Sequence, residues 1–181
     1  MDILKHITQE ASGEFFTQPS HQLAPQLLGC VLETPKFYVL ITEDEAYDAT
    51  QDDKACHAYP KITPRAQSLA LKGGHIYVYI IYGMHYCMNI VADKEGVGAG
   101  CLIRAAYVAP KLAPNQTQHI IGPARLTKFL GISKAQDGIK LGKDYKLWRT
   151  DLSLKYTATP RIGISQCKDW PWRFLVTEKI K

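Results

Sequence analysis

The sequence predicts one α+β domain in which β-strands alternate with a few short helices. The chain has 181 residues, 46% of them hydrophobic, which is enough for one full core. It shows no internal repeat, low-complexity tract or linker-like change in composition. The most informative stretch is IYVYIIYGMHYCMNIV, residues 76–91, which is too β-rich for a helix and too apolar for a loop. We interpret it as a β-hairpin that turns at Gly83.

The predicted hairpin carries bulky side chains at its turn, where most hairpins have small polar residues. The residues expected there are Tyr82, Gly83, Met84 and His85. Because Gly83 can adopt a positive φ, we expect a loop of three or five residues, which places Tyr79 and Asn89 on one face beneath the tip. An aromatic ring beside an amide suits a pocket that reads a base. An ordinary core hairpin with an aromatic tip has the same pattern, so both interpretations stay open here.

Short helices and further strands are expected on both sides of the hairpin. Predicted helices begin at Ser20, which would act as the cap, and at Thr63 and Gly122, and they end at Gly29, Gly73 and Gly131. Predicted strands cover 30–32, 37–42, 101–108, 159–165 and 173–176. Glu45 then falls at or just past a strand end, and the polar run 48–60 predicts an exposed loop carrying His57.

One arginine stands out because Arg104 interrupts the apolar strand 101–108. A buried guanidinium is costly unless it meets an acceptor, and Glu45 is the candidate partner. A catalytic pair and a simple salt bridge both explain this placement. Glu45 itself lies beside Glu43 and Asp44, so a solvated acidic loop also explains it.

Composition limits the classes of partner. The formal net charge of +5 and pI near 8.9 suit a polyanion without requiring one. The five cysteines form no C-x-x-C pair, so neither a disulfide framework nor a zinc site is indicated, and we expect no metal and no cofactor. No signal-peptide pattern or bilayer-length apolar run is present. We therefore expect a cytoplasmic or nucleoid-associated protein with no membrane partner.

Several segments, in chain order, carry a family resemblance. They are EFFTQPSHQLAPQLLGCVL, TEDEAYD, DDKACHAY, TPR, GGHIYVYIIYGMHYCMNIV, GCLIRA, IGPARL and TPRIGIS. Together they resemble the alkyladenine (3-methyladenine) DNA glycosylases of the mammalian type over nearly the whole chain. The resemblance implies a single domain over residues 1–181, with a curved antiparallel sheet flanked by helices and a basic face toward DNA. It also implies a monomer that acts on double-stranded DNA containing damaged purines.

The resemblance implies a catalytic group and a base-binding group. Glu45 matches the general base that activates water, and Arg104 and the backbone carbonyl of Ile162 match the other groups around that water. The base-binding residues that it implies are Tyr47, His57 and Tyr79, which sandwich the flipped base, and Asn89, which excludes guanine. Departure of a purine builds positive charge on the sugar, which a carboxylate stabilises. An alkylated, positively charged base gains attraction from aromatic faces.

The same resemblance implies how the hairpin meets DNA. Tyr82 would enter the duplex from the minor groove in place of the extruded nucleotide, with Met84 and His85 beside it. Arg65 of TPR is the remaining DNA contact. The chain departs from the family pattern in three places. The stretch 45–57 is one residue longer than usual, Ala66 and Gln67 replace a common Asn and Arg, and His85 replaces a common aromatic residue.

The resemblance implies base excision that leaves an uncut abasic site, because no lysine occupies a position that it marks as nucleophilic. Two other functions explain part of the pattern. A non-enzymatic minor-groove protein would insert Tyr82 into the duplex as a wedge and use the basic charge to bind DNA. A nucleoside or RNA N-glycoside hydrolase would use Glu45 without entering a duplex.

Overall fold

The computed structural model describes residues 2–180, and its main feature is one antiparallel sheet of ten strands. The strands are β1 (Ile7–Glu10), β2 (Val31–Glu33), β3 (Phe37–Asp48), β4 (Ile76–Ile81), β5 (His85–Ala92), β6 (Ala99–Pro110), β7 (Gln118–Ile121), β8 (Lys146–Thr150), β9 (Tyr156–Thr159) and β10 (Arg173–Val176). The main path runs β1-β8-β2-β3-β6-β5-β4, while β10 joins β3 to β9 and β7 pairs with β6. The predicted α+β class and single domain are confirmed.

The helices are few and short. They are α1 (Gly13–Phe16), α2 (Ser20–Leu27) and α3 (Pro123–Leu130), with 3-10 turns at Ile3–His6, Ala49–Gln51, Pro64–Ala66, Ser68–Ala70 and Lys134–Gln136. Helix α3 begins and ends where predicted, and Gly131 terminates it with φ +69°. Ser20 is the first residue of α2 and does not cap it, since Pro19 occupies the cap position. Within residues 2–180 no helix is long and apolar enough to span a bilayer.

The main core lies on the face of the sheet that α2 and α3 cover. Side chains from β4 and β5 alternate between the two faces, because successive residues of a strand point in opposite directions. Ile76 and Ile90 enter the core with Leu126 of α3. Tyr77 and its cross-strand partner Asn89 face the other side, where a second apolar cluster forms under 49–71. The helices therefore stabilise one face and leave the other for a site.

The predicted hairpin is confirmed, including its odd loop. Ile81 pairs with His85, which leaves three residues at the tip. Tyr82 has φ +50° and Gly83 has φ +70°. The left-handed conformation is unusual for tyrosine and ordinary for glycine. In this register Tyr79 pairs with Cys87, so Tyr79 and Asn89 share one face as predicted.

The central strands β3 and β6 are both longer than predicted. Strand β3 continues to Asp48, so Glu45 lies inside a strand opposite Leu102, and its prediction as a strand-end residue was wrong. The acidic run remains extended because β6 pairs with it on one side and β10 on the other. Arg104 and Arg173 supply counter-charges that the local composition does not reveal.

Three segments differ from their predicted structure. The loop 48–60 is packed against the sheet, with Asp53 and Cys56 buried and His57 half-buried. Residues 63–73 form two separate 3-10 turns instead of one helix. No strand covers 160–165, because β9 ends at Thr159 and Arg161 turns inward to bind Asp53. A buried ion pair between two loops thus explains two of the three differences.

Candidate active site

A cavity of about 330 Å³ opens beneath the hairpin tip, on the sheet face opposite the helices. Eight predicted site residues line it, namely Tyr47, His57, Arg65, Tyr79, Tyr82, Asn89, Arg104 and Ile162. Glu45 lies behind this wall and is fully buried. Met84 and His85 lie outside the lining, at the tip and at the start of β5.

The carboxylate of Glu45 is held by three donors from three parts of the chain. Oε2 accepts from the Tyr47 hydroxyl at 2.9 Å and from Arg104 Nη1 at 3.1 Å. Oε1 accepts from the backbone N–H of Ile162 at 2.7 Å. A carboxylate has about four lone-pair sites, so one remains free to accept from a water. The contact to Ile162 is made by its amide, while a role for its carbonyl stays a prediction.

Arg104 connects Glu45 to a second acid. Its Nε donates to Glu43 Oε1 at 2.9 Å, and Arg173 Nε donates to the same oxygen at 2.8 Å. Burial opposes the charge of Arg104, but the carboxylates of Glu45 and Glu43 raise its pKa above the usual value. The predicted Glu45–Arg104 pair is present. Glu43, which the sequence pattern did not single out, fixes the guanidinium in place.

Aromatic rings form the walls of the cavity. The His57 ring lies edge-on to Tyr79, with centroids 4.5 Å apart and an interplanar angle of 83°. His57 Nδ1 and the Tyr77 hydroxyl share a hydrogen bond of 3.0 Å. Burial, together with the charge of Arg65, lowers the pKa of His57 to about 4, so the imidazole is neutral at pH 7. The stretch 45–57, although one residue longer than usual, therefore still places His57 against Tyr79.

The hairpin tip projects into solvent above this cavity. Tyr82 is 90% exposed and Met84 is 70% exposed, which is unusual for side chains of this size. Arg65 donates from Nη2 to the Ile80 carbonyl at 3.0 Å, and its guanidinium lies 5.5 Å from the Tyr79 ring. Arg65 thus supports the hairpin from the side while staying exposed. His85 is half-buried where the tip joins β5.

Comparison with known proteins identifies a family for this chain. A sequence model of the methylpurine-DNA glycosylase (MPG) family matches residues 14–180. The chain belongs to this family.

Three bacterial relatives of this methylpurine-DNA glycosylase family member align with most of its length. The protein of Rickettsia felis is 38% identical over 170 residues, covering 93% of each chain. The protein of Sodalis glossinidius is 40% identical over 167 residues, covering 90% of this chain and 94% of its own. The protein of Wolbachia sp. subsp. Brugia malayi is 38% identical over 164 residues, covering 90% and 94%. Each is named "Putative 3-methyladenine DNA glycosylase".

In this member of the methylpurine-DNA glycosylase family, one amide faces the cavity from the sheet. Asn89 is 4% exposed, and its Nδ2 donates to the Tyr77 carbonyl at 3.1 Å. That bond fixes the side chain against β4, so its position cannot adapt freely to a bound base. Across residues 2–180, no group of three or more His, Cys, Asp or Glu side chains is arranged to hold a metal ion.

The site also contains residues that sequence reasoning missed. Arg161 lies with its guanidinium carbon 4.6 Å from the centroid of the Tyr47 ring. Its two terminal nitrogens donate to Asp53 at 2.7 and 2.8 Å, and both side chains are fully buried. Tyr77 was missed as well, although its place two residues before Tyr79 put it on the same strand face. Arg161 and Asp53 are 108 residues apart, so no local pattern links them.

Proposed function

We propose that this family member is a DNA glycosylase that flips an alkylated purine out of duplex DNA and hydrolyses its N-glycosidic bond. The observation that carries the proposal is Glu45, a buried carboxylate held at the wall of an aromatic cavity beneath an exposed tyrosine. The product would be a free base and an uncut abasic site. Duplex DNA with a damaged purine would be the partner, bound by a monomer.

The reaction would begin with a water on the free lone-pair site of Glu45. Arg104 lines the cavity, and its Nη2, which donates no hydrogen bond within residues 2–180, would orient that water. As the base departs, positive charge grows on the sugar, and the Glu45 carboxylate would stabilise it. The water would then attack the sugar carbon while Glu45 accepts its proton. Burial of Tyr47 and the nearby Glu45 carboxylate raise the pKa of Tyr47, so its hydroxyl remains a donor.

The base would stack among Tyr47, His57 and Tyr79. A cationic, alkylated ring is attracted to aromatic faces, and an imidazole that is neutral at pH 7 does not repel it. Asn89 would disfavour guanine through contact with its amino group, since the bond to Tyr77 prevents the amide from retreating. 7-Methylguanine carries the same amino group, but its positive charge adds an attraction to the aromatic rings that undamaged guanine lacks. These contacts favour damaged purines over normal ones.

The tip supports duplex DNA as the substrate. Removing a base from a stack costs a few kcal/mol, and an apolar side chain that fills the gap recovers part of it. Tyr82 combines high exposure with a place at the cavity rim, as such a wedge requires. A purely architectural protein would have no use for Glu45 and Arg104 under the tip. A nucleoside hydrolase would have no use for an exposed Tyr82.

Base release from DNA tests the proposal directly. A duplex with a single 7-methylguanine would be incubated with the wild type and with Glu45→Gln, and free base would be separated before alkali reveals abasic sites. Wild type should release base and leave the strand intact until alkali is added. The Glu45→Gln variant should bind lesion duplex but lose on the order of a hundredfold or more in rate, because an amide cannot accept the proton.

A matched control is Glu33→Gln, the same change in an ion pair with Lys111 on another part of the sheet. It should excise at the wild-type rate. Near-normal release by Glu45→Gln would remove Glu45 from the mechanism. Cleavage of free nucleoside as fast as duplex would favour the nucleoside hydrolase.

A further inference from the structure

The back of the base pocket is closed by an ion pair that has no part in the mechanism above. Arg161 lies over the Tyr47 ring, with its guanidinium carbon 4.6 Å from the ring centroid, and the ring of Trp172 lies 5.4 Å from the same carbon. Tyr47 lines the cavity whereas the fully buried Arg161 does not, so we place the guanidinium on the side of the ring away from the cavity. Arg161 Nη1 also donates to the Ala46 carbonyl at 2.8 Å. Burial opposes the charge of Arg161, but the hydrogen-bonded Asp53 carboxylate raises its pKa above the usual value. The guanidinium therefore remains a cation directly behind a base-binding ring.

Asp53 is the counter-charge of this cation. It accepts both terminal nitrogens of Arg161, and it also accepts the backbone amides of Asp48 at 3.3 Å and Ala55 at 3.1 Å. The other acids of the site are already engaged, because Glu45 and Glu43 face Arg104. Without Asp53, the guanidinium behind Tyr47 would keep its bond to the Ala46 carbonyl but lose the carboxylate that neutralises it.

We propose that Asp53 is a specificity-determining residue, which neutralises Arg161 so that the front face of Tyr47 stays attractive to a positively charged base. This inference rests on the proposed function. A base stacked on Tyr47 would lie roughly 9 Å from the guanidinium, given typical ring separations. At that distance and an effective dielectric constant near 20, an uncompensated charge would weaken binding of a cation roughly tenfold or more. A neutral base would not be affected in this way.

The test uses three variants that change charge while keeping amides for hydrogen bonding. Asp53→Asn leaves a cation behind Tyr47, Arg161→Gln leaves an anion, and the double variant Asp53→Asn/Arg161→Gln leaves neither. Release of 7-methylguanine, a cationic base, would be measured in single turnover for each, with hypoxanthine as a neutral lesion. Circular dichroism gives the folded fraction, and rates would be expressed per folded molecule.

We expect Asp53→Asn to lose roughly tenfold on 7-methylguanine, and the double variant to recover most of that loss. The loss on hypoxanthine should be smaller for Asp53→Asn. A purely structural pair predicts that Asp53→Asn loses the same factor on 7-methylguanine and on hypoxanthine, because a displaced Tyr47 would impair both lesions alike, and equal losses would overturn the inference. If Asp53→Asn does not fold, Arg161→Gln replaces it in the comparison, because the remaining anion should make it better than the double variant on 7-methylguanine.

Failure of the proposed function is distinguishable from failure of the inference. Wild type that releases no 7-methylguanine would contradict the proposed function, and with it the inference. Wild type that releases 7-methylguanine, with Asp53→Asn and the double variant equally impaired, would contradict only the role of Asp53.

Discussion

Three consecutive acids of β3 have three different environments. Glu45 lies behind the cavity wall and accepts three hydrogen bonds, while Glu43 bridges Arg104 and Arg173. Asp44 is fully buried with neither oxygen hydrogen-bonded within residues 2–180. Charge alone therefore does not show which of the three acids is placed for catalysis, because Arg104, Arg173 and Ile162 come from distant parts of the chain.

His57 gives a prediction about pH. Burial, with the nearby charge of Arg65, lowers its pKa from 6.5 to about 4, so the neutral form persists well below pH 6. The rate of wild type divided by that of His57→Gln should stay constant from pH 7 to pH 5 and decline only near pH 4. Taking the ratio on one 7-methylguanine duplex cancels the acid lability of the lesion. A change in the ratio centred near pH 6.5 would mean that His57 titrates as an ordinary surface histidine.

Some of the site follows from the sequence and some does not. The Glu45–Arg104 pair was predictable because an arginine in an apolar strand requires an acceptor. The shared face of Tyr79 and Asn89 followed from strand periodicity and loop length. The Asp53–Arg161 pair was not predictable, since neither residue interrupts an apolar pattern and they are 108 residues apart. Local sequence patterns show which face of a strand a side chain occupies, whereas an ion pair between residues far apart in the chain is seen only in the folded structure.

At the scale of elements, the loops around the site were harder to predict than the strands. The segment 48–60 has a polar composition, which predicted exposure. The segment 48–60 nevertheless packs against the sheet, because Asp53 binds Arg161 from the segment 160–165. Each segment is irregular because it satisfies a buried charge of the other instead of extending a strand.

The hairpin yields a prediction about DNA. Tyr82→Ala should leave the melting temperature nearly unchanged, because the side chain is 90% exposed. Truncating a buried aromatic would instead cost about three to five kcal/mol. Binding to a lesion duplex should weaken, with the smallest defect at looped-out lesions, where less stacking must be broken.

Leu112→Ala is a matched control for the loss of an exposed apolar side chain, since Leu112 is also fully exposed and lies outside the cavity lining. It should change neither melting nor binding. Equal defects of Tyr82→Ala on paired and looped-out lesions would contradict the wedge.

For the molecule as a whole, stability and the site occupy opposite faces of one sheet. Helices α2 and α3 cover the main core, and the second face carries the cavity and a smaller apolar cluster. Strand β3 contributes to both, because its alternate residues enter the core and the site. Asp44 is the exception, since it places a carboxyl on the core face beside Ala46.

That carboxyl should make the stability of the whole domain depend on pH. Burial, with the neighbouring charges of Glu45 and Glu43, raises the pKa of Asp44 well above 3.8. The folded protein then retains a proton that the unfolded chain releases, so this group lowers stability as pH rises from about 4 toward its folded pKa.

Asp44→Asn removes the titration at nearly constant size. It should raise the melting temperature at pH 7 to 8, and the gain should vanish near pH 4. Each kcal/mol gained corresponds to roughly 2–4 °C in a domain of this size. Thermal melts of wild type and Asp44→Asn between pH 4 and pH 8 measure this, with the exposed Asp144→Asn as a control that should show no such trend. Equal melting temperatures of Asp44→Asn and wild type at every pH would mean that Asp44 has a partner that stabilises its charge.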